Sequence, residues 1–330
     1  MTIEKTGAGE LRRPALGAGE AWAFGGASMY ALTNIVSRAA IIAADPLAAP
    51  VFRVLPTLAI AWTQVARSHA RWTTLRPSAP DFVGWRTMLI LFLGGTLGTS
   101  VGSLAFFYAL QVGGVVLTVP VVATYVLWSA LIAVLFLKER LNARMVIGII
   151  IAVSGVALLG YGRSAGNPVT SEALAAIPLA LVTAIGWAAS ANCTRYALTR
   201  GVDKYLAIAL AQTCGLAVLI AGLFASGHGA VLWTTSLRAI GLFLLAGILA
   251  AVALICDTHA LSLTTVASAL TISGTNPVLS AILAVLFLNE EIKPLMAAGI
   301  VLTVVGVLFA QLSKEQNGES ANQRLAPSSR

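Results

Sequence analysis

The groups in this sequence that could do chemistry are few, and most of them sit where charge is costly. Arg53, in "PVFRVLP", lies about seven residues into an apolar run, roughly 10 Å from its end at 1.5 Å rise per residue. A guanidinium at that depth is a counter-charge for a carboxylate, unless it snorkels to the headgroups or braces a neighbouring helix carbonyl. Asp257 and His259, in "ICDTHAL", lie near the end of another apolar run. Either could carry a proton within a cavity, the histidine near neutral pH, or simply form a polar helix end. Two residues apart on a helix, they point in different directions and form no pair of their own. Asn34 and Asn192 place amides inside apolar runs, suited to interhelical hydrogen bonds or to ligand contacts. Tyr125 and Trp128, in "VVATYVLW", offer rings to an apolar ligand or to lipid, and Asn276, in "SGTNPV", stands beside a proline. Proline frees backbone carbonyls in a membrane helix, which is tolerated where the helix lines a wet or protein-packed space.

The elements that must position these groups follow from composition. Of 330 residues, 58% are hydrophobic and 10% charged, against about 25% charged in a soluble domain, and the mean hydropathy is +0.87. Apolar runs of the roughly 20 residues needed to cross a bilayer recur along the chain. The expected fold is all-α: a polytopic membrane protein with spans near 21–42, 47–66, 88–110, 114–137, 143–160, 173–194, 205–226, 239–262, 265–288 and 294–312. "QVGG" makes a tight turn between the third and fourth spans. The run after the polar first twenty residues is too long for a signal-peptide core and reads as a retained span. The polar tail from residue 313 is expected to be disordered. Cys193, Cys214 and Cys256 have no paired spacing, so neither a disulfide framework nor a metal site is expected, and no cofactor is implied.

The ten runs are two copies of five. "AVLFLKER" at 133–140 returns as "AVLFLNEE" at 284–291, an offset of 151 that also joins Ser129 to Ser280, Gly148 to Gly299 and Gly155 to Gly306. Upstream the offset drifts to 158, where Asn34 meets Asn192. An odd number of spans per copy makes the second copy enter from the opposite side, so equivalent loops need opposite charge under the positive-inside rule. With the N-terminus inside, sixteen of the 21 Lys and Arg fall in cytoplasmic segments, and Arg38, Arg163, Arg238 and Lys293 fall outside. The second copy of the motif therefore sheds Lys138 and Arg140 while keeping the glutamate, Glu139 or Glu290. The net charge of +8 is topology, and no nucleic-acid partner is expected. The organisation is a cytoplasmic tail at 1–20, inverted five-helix repeats at 21–160 and 173–312, and a second cytoplasmic tail at 313–330.

These features resemble the EamA-type drug/metabolite transporter superfamily. The resemblance rests on the duplicated unit, the Asn in each first helix, Arg53, the "LFL-x-E" ends at Glu139 and Glu290, and the Gly-x6-Gly pairs Gly148/Gly155 and Gly299/Gly306. It implies ten helices around a central cavity built by both halves, and export of small metabolites such as amino acids. Pro277 matches the proline of the family's fourth helix, but the first copy has Val126 there and Pro120 six residues earlier. The two halves are thus expected to bend differently.

Enzyme motifs (a zinc-binding His-Glu-x-x-His, a nucleophile turn, a phosphate-cradling loop) are absent from the sequence. The expected function is export of small organic metabolites, amino acids or related amphipathic compounds, by alternating access, possible proton coupling included. A lipid-carrier flippase and a non-transporting scaffold or sensor are the alternatives. The partners are a small-molecule substrate and the lipid bilayer of the plasma (inner) membrane, with the protein a monomer or homodimer. Single cysteines at positions 7, 75, 168 and 230 should react with an impermeant thiol reagent as inside, inside, outside and outside. Labelling of position 75 from outside intact cells would reverse the orientation.

Overall fold

The computed structural model describes residues 17–42, 44–67, 75, 78–79, 82–125, 127–129, 131–132, 143–164, 171–263 and 272–325. Glu139 and its motif lie outside these residues, as does 264–271, the expected start of the ninth span. Backbone in lipid must satisfy its hydrogen bonds within each segment, and among the described residues the chain is helical with no strand. The helices are α1 (Ala18–Ile42), α2 (Ala49–Arg67), α3 (Trp85–Gly95), α4 (Ser103–Ala123), α5 (Ala143–Ser164), α6 (Ser171–Thr199), α7 (Lys204–Ala225), α8 (Leu237–Leu263), α9 (Asn276–Leu288) and α10 (Pro294–Leu325). A π-helical segment, Thr96–Gly102, joins α3 to α4. Among the described residues, Trp85–Ser129, Ala175–Thr199, Lys204–Ala225 and Leu237–Asp257 are long and apolar enough to cross a membrane.

Gly114 divides α4. Its φ of 71° and ψ of −177° break the helix inside "QVGG", a backbone conformation that a side chain would strain. At the other end of the chain the expectation of a disordered tail is corrected: α10 continues through 313–325. The segment "SKEQNGESANQRL" is polar but rich in residues that lose little on entering a helix, with Pro327 placed just beyond it.

Helix partners lie mostly in the opposite copy. α1 packs on α8 and α9, and α6 on α3 and α4; α2 meets α8 and α7, and α7 meets α3; α5 packs on α10. By the 151-residue offset α8 corresponds to α3, the π-helical segment and the first part of α4, so the packing of α1 on α8 and of α6 on those segments is reciprocal. Small residues permit the approach. A Cβ on Gly155 would collide with Thr303, one on Gly299 with Leu159, and one on Gly306 with Ala152, so the Gly-x6-Gly pairs are the α5–α10 seam. On the segment from α3 into the π-helix, Gly94, Gly98 and Gly102 face Cys193, Ser190 and Trp187 of α6 in the same manner.

The retained glutamate has a visible task in one copy. α9 ends with Asn289 in the left-handed region at φ 52°, which delivers Glu290 to the start of the second part of α4. The Glu290 carboxylate accepts hydrogen bonds from the backbone N–H groups of Val115 and Val116, both at 3.0 Å. These are orphan donors of a helix N-terminus, where negative charge is favoured. Arg38 of α1 approaches the same carboxylate at 3.6 Å and donates to the Gln111 carbonyl at 2.9 Å. Glu290→Gln removes the charge from a partly buried two-donor site and should lower stability by about 1–3 kcal/mol. Arg38→Gln should cost less, because its ion pair is long. Thermal unfolding of the purified protein in detergent checks the order, and equal losses would contradict the capping role.

Candidate functional site

Both fourth helices break at equivalent residues. Thr124 and Thr275, related by the 151-residue offset, each turn the hydroxyl back to the carbonyl three residues before, Val121 and Ile272, at 2.6 Å. Their backbones match, with φ −65°, ψ −6° at Thr124 and φ −77°, ψ −11° at Thr275. The expectation of different bends, drawn from Pro277 and Val126, is therefore corrected at this point. The proline begins α9 after the break, and the threonine marks the interruption in both copies.

A cavity of about 430 Å³ lies beside these breaks. It brings together Asn34 and Tyr30 of α1, Arg53 of α2, Phe106 of α4, Tyr125 just past α4, Trp187 of α6, Asp257 of α8, Ser273 just before the Thr275 break and Asn276 at the start of α9. Arg53 does not reach for a helix carbonyl: its Nε is buried and has no partner among the described residues. Its guanidinium instead stands over the rings of Phe106 and Phe107, 5.8 and 5.9 Å from their centres, an attraction of about 2 kcal/mol where water is excluded. Those rings are fixed in turn by Trp187, 5.3 Å from Phe106, and Phe243, 5.8 Å from Phe107. Asp257 accepts a hydrogen bond from Ser273 Oγ at 3.1 Å and packs so closely on α1 that only glycine fits at position 26. One cavity thus holds a fixed cation and a carboxylate, with phenol, indole and amide groups around them.

The two asparagines occupy reciprocal seats. Asn34 donates to Ser280 Oγ of α9 at 3.1 Å. Asn192 donates to Ser129 Oγ at 2.9 Å, to the Ser129 carbonyl at 3.1 Å and to the Ala188 carbonyl at 2.8 Å. Ser129 and Ser280 are themselves the 151-offset pair, so each copy's asparagine holds the other copy's serine. Asn34 also lines the cavity, whereas Asn192 lines neither of the cavities described here. Trp128 is half-buried away from both. His259 stacks on Trp22, 5.1 Å between ring centres, and is exposed. Sequence reasoning missed Tyr30 and Trp187. Tyr30 was within reach, since it precedes Asn34 by four residues and so shares its helix face; Trp187 carries no such signal.

The family profile of EamA-like transporters matches residues 17–161 and again 174–312. The chain belongs to the EamA-like transporter family. It is thus a membrane transporter of the drug/metabolite transporter superfamily, and its two copies are two EamA repeats. An "Uncharacterized transporter in cobO 3'region" of Sinorhizobium sp. is 29% identical over 138 residues, which is 42% of this chain and 93% of that relative. A solved structure described as "Crystal structure of protein" has a TM-score of 0.54 at 17% identity, over 91% of this chain and 98% of that one, a likeness of fold. As a transporter, the EamA protein is expected to need its copies joined at defined points. Asn34→Ala should cost about 0.6–2 kcal/mol, and adding Ser280→Ala should cost little more. Additive losses in a double-mutant cycle of detergent unfolding would show that the two side chains do not interact.

Proposed function

We propose that this EamA transporter exports amino acids or closely related amphipathic zwitterions through the central cavity. The observation that carries this reading is the pairing of Arg53 with Asp257 in one cavity of about 430 Å³. Arg53, set over two phenyl rings with an unused N–H, suits a carboxylate; Asp257 suits an ammonium group. Tyr30, Tyr125, Phe106 and Trp187 supply surface for an apolar side chain, and Asn34 and Asn276 supply neutral hydrogen-bonding groups. A zwitterion satisfies both charges at once, which a sugar does not. The cavity lies in the size range of small-molecule sites.

Ten spans with both termini in the cytoplasm and the chain in the plasma (inner) membrane complete the proposal. The two copies are inverted about an axis in the membrane plane, and interchange of their conformations opens the site first to one face and then to the other. Helix pairs that map onto one another when the copies are exchanged support this. Asp257 also gives the energy coupling. When the substrate ammonium leaves, a proton takes its place on the carboxylate, so export of substrate is exchanged for entry of a proton.

Proteoliposomes loaded with labelled amino acids test the reading. Arg53→Gln should cut transport of zwitterionic and anionic substrates about 10–100-fold, the loss of a charge-assisted hydrogen bond, and cationic amines lacking a carboxylate far less. Asp257→Asn should abolish substrate-linked proton movement followed by an internal pH dye. Equal loss for anionic, neutral and cationic substrates would make Arg53 a brace of the fold, and transport of lipid alone would favour a flippase.

A further inference from the structure

The two oxygens of Asp257 are not equally free. Oδ1 accepts the hydrogen bond from Ser273 Oγ at 3.1 Å, and it stands so close to the Gly26 backbone of α1 that a Cβ there would collide with it. Oδ2 has no hydrogen-bond partner among the described residues, and the side chain lines the central cavity. One oxygen is thus engaged by the protein from two sides, and the other is left for a ligand. The restraint belongs to a single glycine: a Cβ on the neighbouring Gly25 would meet only Cys256 Sγ, at an ordinary contact of 3.9 Å. A second cavity of about 550 Å³ shares Arg53 and Trp187 with the central one, and no Asp or Glu is among its described lining residues. Among the described residues that line the two cavities, Asp257 is therefore the one acid that a ligand cation can meet.

The number of oxygens an acid offers decides which cation suits it. A guanidinium carries paired N–H donors in one plane and binds most strongly when both carboxylate oxygens receive them. An ammonium group is a compact charge whose three donors diverge. One oxygen is enough for it, and its remaining N–H groups can turn to the phenol oxygens of Tyr30 and Tyr125, which line the same cavity. We infer that Gly26 and Ser273 set the cation specificity of the central cavity: by engaging Oδ1 they make Asp257 a one-oxygen acceptor, which takes a primary ammonium group and disfavours a guanidinium. Both are positioning residues that act through the carboxylate, Gly26 from the first copy and Ser273 from the second. The inference rests on Asp257 receiving the substrate's positive end, as proposed above, and names the class of group that this end is.

The test uses the full chain, purified in detergent and unfolded by heat at rising concentrations of 3-methylbutylamine, 3-methylbutylguanidine or 4-methylpentanoate. The three probes put an ammonium, a guanidinium or a carboxylate on the same apolar tail. The rise in unfolding temperature gives each dissociation constant, because a ligand of the folded state stabilises it by mass action. The wild type should bind the amine about ten-fold more tightly than the guanidine, the difference one hydrogen bond to a charged group makes. Ser273→Ala releases Oδ1 and should bring the two affinities within about two-fold of each other. Gly26→Ala displaces the carboxylate and should weaken the amine about ten-fold, whereas Gly25→Ala should leave it unchanged. Affinity for 4-methylpentanoate, which addresses Arg53, should be the same in all three variants. If Gly26→Ala yields no cooperative unfolding, Ser273→Ala, which removes one oxygen and adds no volume, decides alone. Equal affinity for amine and guanidine in the wild type, a ratio unmoved by Ser273→Ala, or parallel loss of all three probes in Gly26→Ala would overturn the inference and leave Asp257 as the ammonium site. No stabilisation of the wild type by the amine, or undiminished binding of it by Asp257→Asn, would overturn the proposed function as well.

Discussion

Helices surrounded by hydrocarbon have no hydrophobic reason to meet, because lipid is as apolar as leucine. Whatever joins them must be close packing and hydrogen bonds, and in this protein both run across the repeat. The α5–α10 seam closes on glycines from both copies, α1 and α6 each pack on helices of the other copy, and each asparagine binds the opposite serine. The copies are therefore interleaved parts of one bundle. The cavity inherits this arrangement: its cation comes from the first copy and its carboxylate from the second.

That division has an electrostatic meaning. Arg53 and Asp257 make no hydrogen-bonded pair among the described contacts: Asp257 is satisfied in part by Ser273, and Arg53 leans on aromatic faces. A buried pair in direct contact would neutralise itself and leave nothing for a ligand. Held apart on different copies, the two charges leave between them the space that the proposed zwitterionic substrate would bridge. Any relative motion of the copies alters the gap and with it the fit.

The sequence disclosed what repetition makes conspicuous. Two copies in register exposed the five-helix unit, the Gly-x6-Gly seam and the retained glutamate, because noise does not recur at one offset. Arg53, Asn34, Asn276, Asp257 and Tyr125 stood out as polar groups in apolar surroundings, and the cavity gathers them. Partnership was hidden. Nothing local says that Asn34 should choose Ser280, 246 residues away, or that Arg53 should rest on Phe106 and Phe107 and not reach for headgroups. The shared helix break was missed because attention fell on proline, whose effect on backbone is familiar, while the threonine hydroxyls at 124 and 275 do the equivalent work in both copies. Of the two readings open for His259, its exposure and its stacking on Trp22 match the polar helix end more closely than a place in the cavity.

The Glu290 cap carries a consequence for biosynthesis. The donors at Val115 and Val116 are made 175 and 174 residues before their acceptor. At about 5–20 residues per second of translation, the start of this membrane segment waits roughly 9–35 s for its anion. Throughout that interval the nascent first copy holds an uncapped helix end and lacks the glycine faces of α10. A ribosome that stalls within the second copy leaves a half-built bundle whose polar end has no satisfied form, a ready mark for the membrane's quality-control proteases.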